Sequence, residues 1–366
     1  MKNYVEESVK WRMGKWYDEP FFQDEHDWSD SKRLGYISKR VKGSYVGLGY
    51  ELWIEKWKDL GIDKNIGVVL DSQDNFDTSC IEIAEDFYKS VSHIPSVPRQ
   101  NFIPWFSHCR RANSNESILA MLYVPYYRET FIEADRFVYS WEDMINECYW
   151  RGKFTGKIPC IATRNEKYYY LQSAEFLTDL KDNLEKYIRY KMVLDHKEKH
   201  DIKFSPKWSC WMIENAEWKE NVDSSLYDLI YKNISVISDI LKEKNMIDDK
   251  QRDFEKEVCK RKYLLCLDGN DTASGLTKSL KSPNLMLAPP MKWHNTLHFK
   301  LRPWEHYVPL KENGVDLDEK VEWCRKNDNE CKKISERATE YISNFTKDSE
   351  DMIEKRIFEV LKQNAR

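Results

Sequence analysis

The sequence lacks the long apolar runs that cross a membrane. No stretch of its 366 residues approaches the ~20 consecutive apolar residues that a bilayer span requires. Its first residues, M-K-N-Y-V-E-E-S-V-K-W-R, also lack the apolar core of a secretory signal. The nine cysteines are scattered and include no C-x-x-C pair, so neither a disulfide framework nor a thiol redox motif is indicated. We therefore expect a cytoplasmic protein with reduced thiols and no transmembrane segment.

The sequence also lacks a large excess of charge of either sign. Lys and Arg together number 58 against 62 Asp and Glu, which gives a net charge of -4, and no basic block stands apart from acidic neighbours. A nucleic-acid or anionic-membrane partner is therefore not indicated. With 33% charged and 41% hydrophobic residues the composition is that of a globular chain, and the length predicts two domains.

The segment between residues 260 and 345 is the most informative part of the chain. The apolar stretch 263–267 leads into D-G-N-D at 268–271, a helix-compatible segment follows, and a second apolar run comes at 285–287. This order of strand, polar turn, helix and strand predicts a βαβ unit. Ligands of such units bind at the carboxyl end of the strand, where phosphate groups are favoured.

The same segment resembles glycosyltransferase family 90, which includes capsule- and lipopolysaccharide-type glycosyltransferases and protein O-glucosyltransferases. The resemblance is carried by D-G-N-D-T-A-S-x-L from residue 268, by S-P-N from residue 282 and by L-x-P-W-x-H-Y-V-P-L from residue 301. The G-N-D-x-A form is closer to the lipopolysaccharide-type branch. W-R-G-K-F-T-G at 150–156 and I-G-V-V-L-D at 66–71 are further, shorter matches.

The resemblance implies an α/β fold of the GT-B type, in which two Rossmann-like domains face each other across a cleft. Residues 1–145 would form the acceptor-side domain, and residues 146–347 would form the domain that binds the nucleotide-sugar donor. A last helix at 348–363 would pack back on the first domain.

The implied activity is transfer of a sugar, with inversion, from a nucleotide-sugar to a hydroxyl of a glycan or protein. A UDP-sugar is the expected donor, and no metal or other cofactor is expected. Such a transfer needs one general base for the acceptor hydroxyl. The resemblance assigns that role to Asp71, which follows an apolar strand; Asp74 and Asp77 compete for it, and Asp71 could instead cap a turn.

For the donor, an arginine can pair with phosphate oxygens through two N–H groups, and a glycine permits close approach of the backbone. The residues predicted to bind the donor are Arg151, Gly152, Thr155, Arg164, Asp268, Gly269, Asn270, Asp271, Thr272, Ala273, Ser274, Lys278 and His306. The alternatives are that Arg151 pairs with a carboxylate, that the loop is an ordinary capped turn, and that His306 packs in the core.

Three positions depart from the family pattern. Phe154 and Gly275 stand where relatives often have a basic residue, and Lys292 replaces a usual acid. A catalytically inactive nucleotide-sugar or glycan-binding module is therefore the alternative function.

A metal-dependent enzyme that uses Asp316 and Asp318 is a weaker alternative, since these acids are also typical of a helix start. The histidine pairs 196/200 and 294/298 have helical spacing but no third ligand evident in sequence, so we predict no metal there. Residues 196–201 are predicted to be a solvated charge run.

Apolar periodicity also predicts the remaining elements. Helices are predicted at 50–60, 81–87, 175–195, 226–241, 316–326, 329–344 and 348–363, and strands at 66–70 and 148–151.

Overall fold

The chain forms two compact units in the computed structural model. The first unit contains residues 1–134, 292–301 and 341–366, and the second contains residues 135–291 and 302–340. The structure describes residues 2–18, 69–71, 105–107, 109–115, 118–119, 139–154, 178–179, 181–206, 224–250, 252–253, 256–269, 272–273 and 275–364. The helices predicted at 50–60 and 81–87 lie outside these residues. The domain limits predicted at 145 and 347 stay a prediction.

Among the described residues, the first unit contains a small parallel sheet of three strands, β1 (Val69–Asp71), β2 (Trp105–Ser107) and β4 (Ile118–Leu119), in the order β1-β2-β4. A separate antiparallel pair joins β3 (Arg110–Arg111) to β9 (Trp293–His294).

Two helices of the first unit are joined by a buried ion pair. The N-terminal helix α1 (Lys2–Met13) packs against the C-terminal helix α7 (Lys347–Asn364). Arg12 donates from both terminal nitrogens to the carboxylate of Glu350, at 2.7 and 2.6 Å. The pair ties the last turn of α1 to the first turn of α7, and removal of either partner would leave a buried charge.

In the part of the second unit that the structure describes, the core is a five-stranded parallel sheet. Its strands in chain order are β5 (Ile145–Gly152), β6 (Asp201–Phe204), β7 (Arg261–Leu265), β8 (Leu285–Ala288) and β10 (Val308–Pro309). The spatial order is β10-β8-β7-β5-β6, and every neighbouring pair is parallel. All four residues of β8 and four of the five in β7 are buried, as expected for central strands of a parallel sheet covered on both faces.

Helices connect or follow the strands of this sheet: α2 (Ile188–His196), α3 (Ser224–Glu243), α4 (Leu276–Lys281), α5 (Leu317–Lys326) and α6 (Asp328–Ser343). Short 3-10 turns occur at Trp141–Asp143, Leu184–Lys186, Val258–Lys260 and Glu312–Gly314. The α/β class with a parallel sheet is thus confirmed for this unit, and the GT-B arrangement stays a prediction.

Most helices in the second half of the chain agree with the periodicity. The helix predicted at 226–241 is α3, and those predicted at 316–326, 329–344 and 348–363 are α5, α6 and α7.

The continuous helix predicted over 175–195 is wrong, because a 3-10 turn interrupts it before α2. The Asn183 side chain donates to the backbone oxygen and the carboxylate of Asp179, and the Tyr187 hydroxyl donates to the same carboxylate. Such local side-chain bonds compete with the helical backbone ladder.

Candidate functional site

The strand order of the second unit contains one switch point. The connection that leaves β5 leads to β6 on one side, whereas the connection that leaves β7 leads to β8 on the other side. Neighbouring strands whose connections diverge leave a crevice at their carboxyl ends, and ligands of open parallel sheets bind there. The candidate site is therefore the carboxyl end of β5 and β7.

The loop that follows β7 carries the D-G-N-D-T-A-S sequence to this crevice. Asp268 and Gly269 are half-buried directly after the apolar run, and Thr272 is buried. Ala273 accepts the first backbone hydrogen bond at the start of α4, from Leu276 N–H at 2.9 Å. The predicted donor-binding residues Asn270, Asp271 and Ser274 lie outside the described residues.

Lys278 is on α4, the helix that follows this loop, and its side chain is exposed. The donor-binding role of Lys278 stays a prediction. Thr155 and Arg164, predicted to contact the same donor, lie outside the described residues.

The Arg151 guanidinium is bound by backbone oxygens and carboxylates of the protein. Its Nε donates to Asp248 Oδ2 at 2.7 Å, and one terminal nitrogen donates to the backbone oxygens of Trp150 and Asp201, both at 2.8 Å. The other terminal nitrogen contacts the carboxylates of Asp201 and Asp248. Four hydrogen bonds and one further ion-pair contact thus hold the guanidinium on protein acceptors. The donor-binding role of Arg151 stays a prediction.

Asp248 is the buried member of this ion-pair cluster, with a side chain that is 3% exposed. Burial alone would raise the pKa of its carboxyl, but hydrogen bonds from Arg252 and Arg151 outweigh burial and hold that pKa well below its ordinary value. The cluster therefore stabilises the fold through a charged carboxylate that needs its arginine partners.

A glycine is required at position 152 because the Trp150 side chain occupies the space that a Cβ would need. Alternate residues of a strand point to the same face, and the buried Trp150 ring folds over Gly152. A Cβ at position 152 would lie 2.3 Å from Trp150 Cζ2, which is far inside van der Waals contact. The glycine that the sequence assigns to close ligand approach thus has a structural reason as well.

Arg189 is a residue of this site that the sequence analysis missed. It lies in the first turn of α2, is 7% exposed, and donates to the backbone oxygens of Lys153 at 2.6 Å and Leu267 at 2.9 Å. Those two oxygens belong to the segments that leave β5 and β7. In sequence Arg189 is one polar residue in an amphipathic pattern, so no local signal distinguishes it.

His306 lies on the amino side of the short strand β10, in the turn that precedes Val308. Its Nδ1 accepts a hydrogen bond from the Arg302 N–H at 3.0 Å, and burial lowers the pKa of its ring. The carboxyl ends of β5 and β7 are at the opposite edge of the parallel sheet. The donor-binding role predicted for His306 stays a prediction.

Asp71 is the last residue of β1 and pairs with Ser107 of β2 in the parallel sheet of the first unit. The backbone therefore places it at the carboxyl end of a strand. Its role as general base stays a prediction.

The charge run predicted at 196–201 is solvated only in part, because Glu198 and Lys199 are exposed whereas His196 and His200 are buried. His196 Nδ1 lies 2.7 Å from Asp318 Oδ1, His200 Nε2 lies 3.2 Å from that oxygen, and Lys199 contacts the other oxygen. Asp318 is in the first turn of α5, as the helix-start alternative predicts. An ammonium group on the carboxylate makes this an ion-pair cluster, and the described part of the chain contains no group of three or more ligands suited to a metal.

No helix among the described residues combines the length and the apolar character needed to cross a bilayer.

The chain is similar to several known proteins over part of its length. The chain is 34% identical over 98 residues to an uncharacterized protein, 027R, of Frog virus 3 (isolate Goorha), which is 25% of this chain and 10% of that protein. It is 37% identical over 79 residues to protein O-glucosyltransferase 3 of Homo sapiens, which is 22% of this chain and 16% of that protein. Protein O-glucosyltransferase 1 of Bos taurus is 27% identical over 109 residues, which is 28% of each chain.

The chain thus spans only a small part of the length of the relatives that it matches. The profile of glycosyl transferase family 90 matches residues 212–366, which include β7, β8 and the loop that carries Asp268 and Gly269. This C-terminal region of the chain belongs to glycosyl transferase family 90.

Proposed function

We propose that the protein is a glycosyltransferase that moves a sugar from a nucleotide-sugar to a hydroxyl of a glycan or protein. One observation carries the proposal. The D-G-N-D-T-A-S loop, within the family 90 match, follows β7 at the switch point of a parallel sheet. Because ligands of such sheets bind at this place, a loop with the family's residues there supports donor binding.

The donor site is proposed to combine the loop and the cation beside it. Gly269 allows the loop to turn under the ligand, and the hydroxyl and amide side chains at 270, 272 and 274 offer hydrogen bonds to ribose or phosphate. Lys278 would balance the charge that builds on the leaving diphosphate, which is the role that cations have in transition-state stabilisation. A UDP-sugar is the donor that the resemblance favours.

The chemical step is proposed to be a direct displacement at the anomeric carbon. The acceptor hydroxyl oxygen forms the new bond to that carbon while the bond to the diphosphate breaks, and a carboxylate takes the hydroxyl proton. Asp71 is the proposed base because it ends β1, and the configuration at the anomeric carbon inverts. Charge on the leaving group is balanced by protein cations, without a metal.

A catalytically inactive binding module is the second candidate. Gly275, where relatives of the O-glucosyltransferase type have an arginine, has no atom within 4 Å of the place its Cβ would occupy. The missing cation could leave binding intact while turnover is lost. Hydrolysis of the donor in the absence of acceptor would distinguish an enzyme from a binding module.

The first experiment is a screen of UDP- and GDP-sugars for thermal stabilisation, since a ligand that binds the folded state raises its stability by mass action. Donors that stabilise are then assayed for release of the nucleotide diphosphate with and without glycan and protein acceptors. If no nucleotide-sugar stabilises the chain, the proposed function is wrong. If a donor stabilises but its diphosphate is never released, the binding module is correct.

The base is tested with Asp71→Asn, which keeps the shape of the side chain and removes its basicity. We expect transfer to fall by roughly 10²–10⁴-fold, the usual effect of a positioned general base. Donor affinity should change little, because Asp71 is proposed to act on the acceptor. Asp74→Asn is the matched control and should retain most activity. A fully active Asp71→Asn variant would exclude this carboxylate.

A further inference from the structure

Arg189 connects the two strand ends that flank the switch point. One terminal nitrogen donates to Lys153 O, just after β5, and the other donates to Leu267 O, just after β7. A guanidinium is planar and its N–H groups have fixed directions. Two bonds from one such group therefore set the spacing between the two backbone segments.

The position of this guanidinium is set by the W-R-G sequence of β5. Its central carbon lies 5.6 Å from the centroid of the Trp150 ring, which is the geometry of a cation–π contact. The Trp150 ring is folded over Gly152, where any larger residue would displace it. Trp150 and Gly152 thus form a platform that orients Arg189 toward the two backbone oxygens.

The segments held by Arg189 are those that carry the proposed donor site. Leu267 directly precedes Asp268 and Gly269, and Lys153 directly follows Gly152. A change of spacing between them would alter the crevice in which a ligand of the sheet binds.

We propose that Arg189 is a positioning residue for the diphosphate of the nucleotide-sugar. It holds the loops that leave β5 and β7 at the spacing that accepts the two phosphate groups. The inference rests on the proposed function and extends it, because it assigns the phosphate end of the donor to the β5–β7 crevice and gives Trp150 and Gly152 a supporting role.

The test uses the full chain and titration calorimetry with UDP. Arg189→Gln should weaken UDP binding about 10- to 100-fold, as expected when charged hydrogen bonds that shape a site are lost. Arg189→Lys keeps the charge but not the planar fork, so its affinity should lie between those of Arg189→Gln and the wild type. Uridine, which has no phosphate, should lose less affinity than UDP in both variants.

Arg337 offers a matched control. It also donates to two backbone oxygens, those of Glu305 at 2.9 Å and Trp304 at 3.3 Å, but on the amino side of β10. Arg337→Gln should leave UDP affinity unchanged. Urea unfolding of all variants separates a loss of fold from a loss of binding, and Arg189→Lys serves as the test if Arg189→Gln does not fold.

Three results would overturn the inference. UDP affinity could be unchanged in folded Arg189 variants, it could fall equally in Arg337→Gln, or uridine and UDP could lose affinity equally. Failure of the proposed function would be recognised separately, because the wild-type chain itself would then bind no UDP and no nucleotide-sugar.

Discussion

Arg151 and Arg189 act on opposite faces of the same strand, and their partners differ in kind. Alternation along β5 puts Tyr149 and Arg151 on one face and Trp150 on the other. The Arg151 guanidinium lies 4.7 Å from the Tyr149 ring centroid and is bound to the carboxylates of Asp201 and Asp248. Arg189 lies on the Trp150 face, and two of its acceptors are backbone oxygens at strand ends.

The difference in partners indicates different roles: Arg151 joins neighbouring strands, whereas Arg189 holds the segments that follow two strands. Asp201 begins β6, and Asp248 follows a bridge between Phe204 and Ile247, so Arg151 ties β5 to the edge of the sheet. Arg189 instead fixes where the chain goes after two strands end. An arginine in a motif therefore need not be the arginine that serves the ligand.

The largest expected effect is on the stability of the Arg151 face. Arg151→Met should lower the free energy of unfolding by about 3–5 kcal/mol, as when one partner of a buried ion pair is removed. The reason is that the buried charge of Asp248 would then be balanced only by Arg252, which is 28% exposed. Urea unfolding measures the change. Arg252→Met, which removes a more exposed partner of Asp248, is the control and should cost about 1 kcal/mol or less.

The distinction between the two arginines would be wrong if Arg151 binds the nucleotide-sugar donor. In that case Arg151→Met would unfold at nearly the wild-type urea concentration and would weaken nucleotide-sugar binding by about 1.5–3 kcal/mol, the range for a charged hydrogen-bonding partner. That result would confirm the donor-binding role predicted for Arg151 from the sequence. It would also show that the contacts of Arg151 with Asp201 and Asp248 contribute little to stability.

An intermediate effect is expected from two glycines that have different surroundings. Gly152→Ala should lower the free energy of unfolding by about 1–3 kcal/mol, because the added methyl group overlaps the buried Trp150 ring. Gly275→Ala should raise it by about 0.4–1 kcal/mol, because space is open and a φ of -77° suits any residue. Urea unfolding of both variants provides the comparison. Equal destabilisation by the two would show that Trp150 does not require the glycine.

The last expected effect is a pH dependence of stability, and it concerns the buried ammonium of Lys281. Burial of Lys281, at the end of α4, lowers the pKa of its ammonium to about 8. The folded state then binds fewer protons than the unfolded state between pH 8 and the ordinary lysine pKa of about 10.4, so its contribution makes stability rise with pH in that window.

Lys281→Met should remove that rise, which is measured as the difference in unfolding free energy between pH 7.5 and 10. Lys278→Met, at an exposed position of the same helix, should keep it. A wild-type slope that persists in Lys281→Met would assign the titration to another group.

Much of the second unit followed from local patterns. The apolar runs at 263–267 and 285–287 correspond to β7 and β8, and the amphipathic stretches near the C-terminus correspond to α5, α6 and α7. These predictions succeed because hydrophobic periodicity acts over a few residues. The helix over 175–195 failed because bonds of Asp179 and Asn183 compete locally with the backbone ladder.

The candidate site was only partly predictable. Gly269 and its neighbours are found after a strand, as the run of residues indicates, because strand, turn and glycine are adjacent in sequence. Arg189 could not be found, since its acceptors are 36 and 78 residues away. The partners of Arg151 could not be found either, because Asp248 is 97 residues away and reaches it only through the order of the strands.

The sequence by itself determined the α/β character of the second unit, the loop after β7 and the membership of its C-terminal region in glycosyl transferase family 90. Only the tertiary structure decided which arginine lies at the ends of β5 and β7, and why Gly152 is a glycine. The physical reason is the separation along the chain over which each kind of interaction acts. Periodicity, turn chemistry and motif spacing are local properties of the chain, whereas ion pairs and ring packing depend on which strands become neighbours.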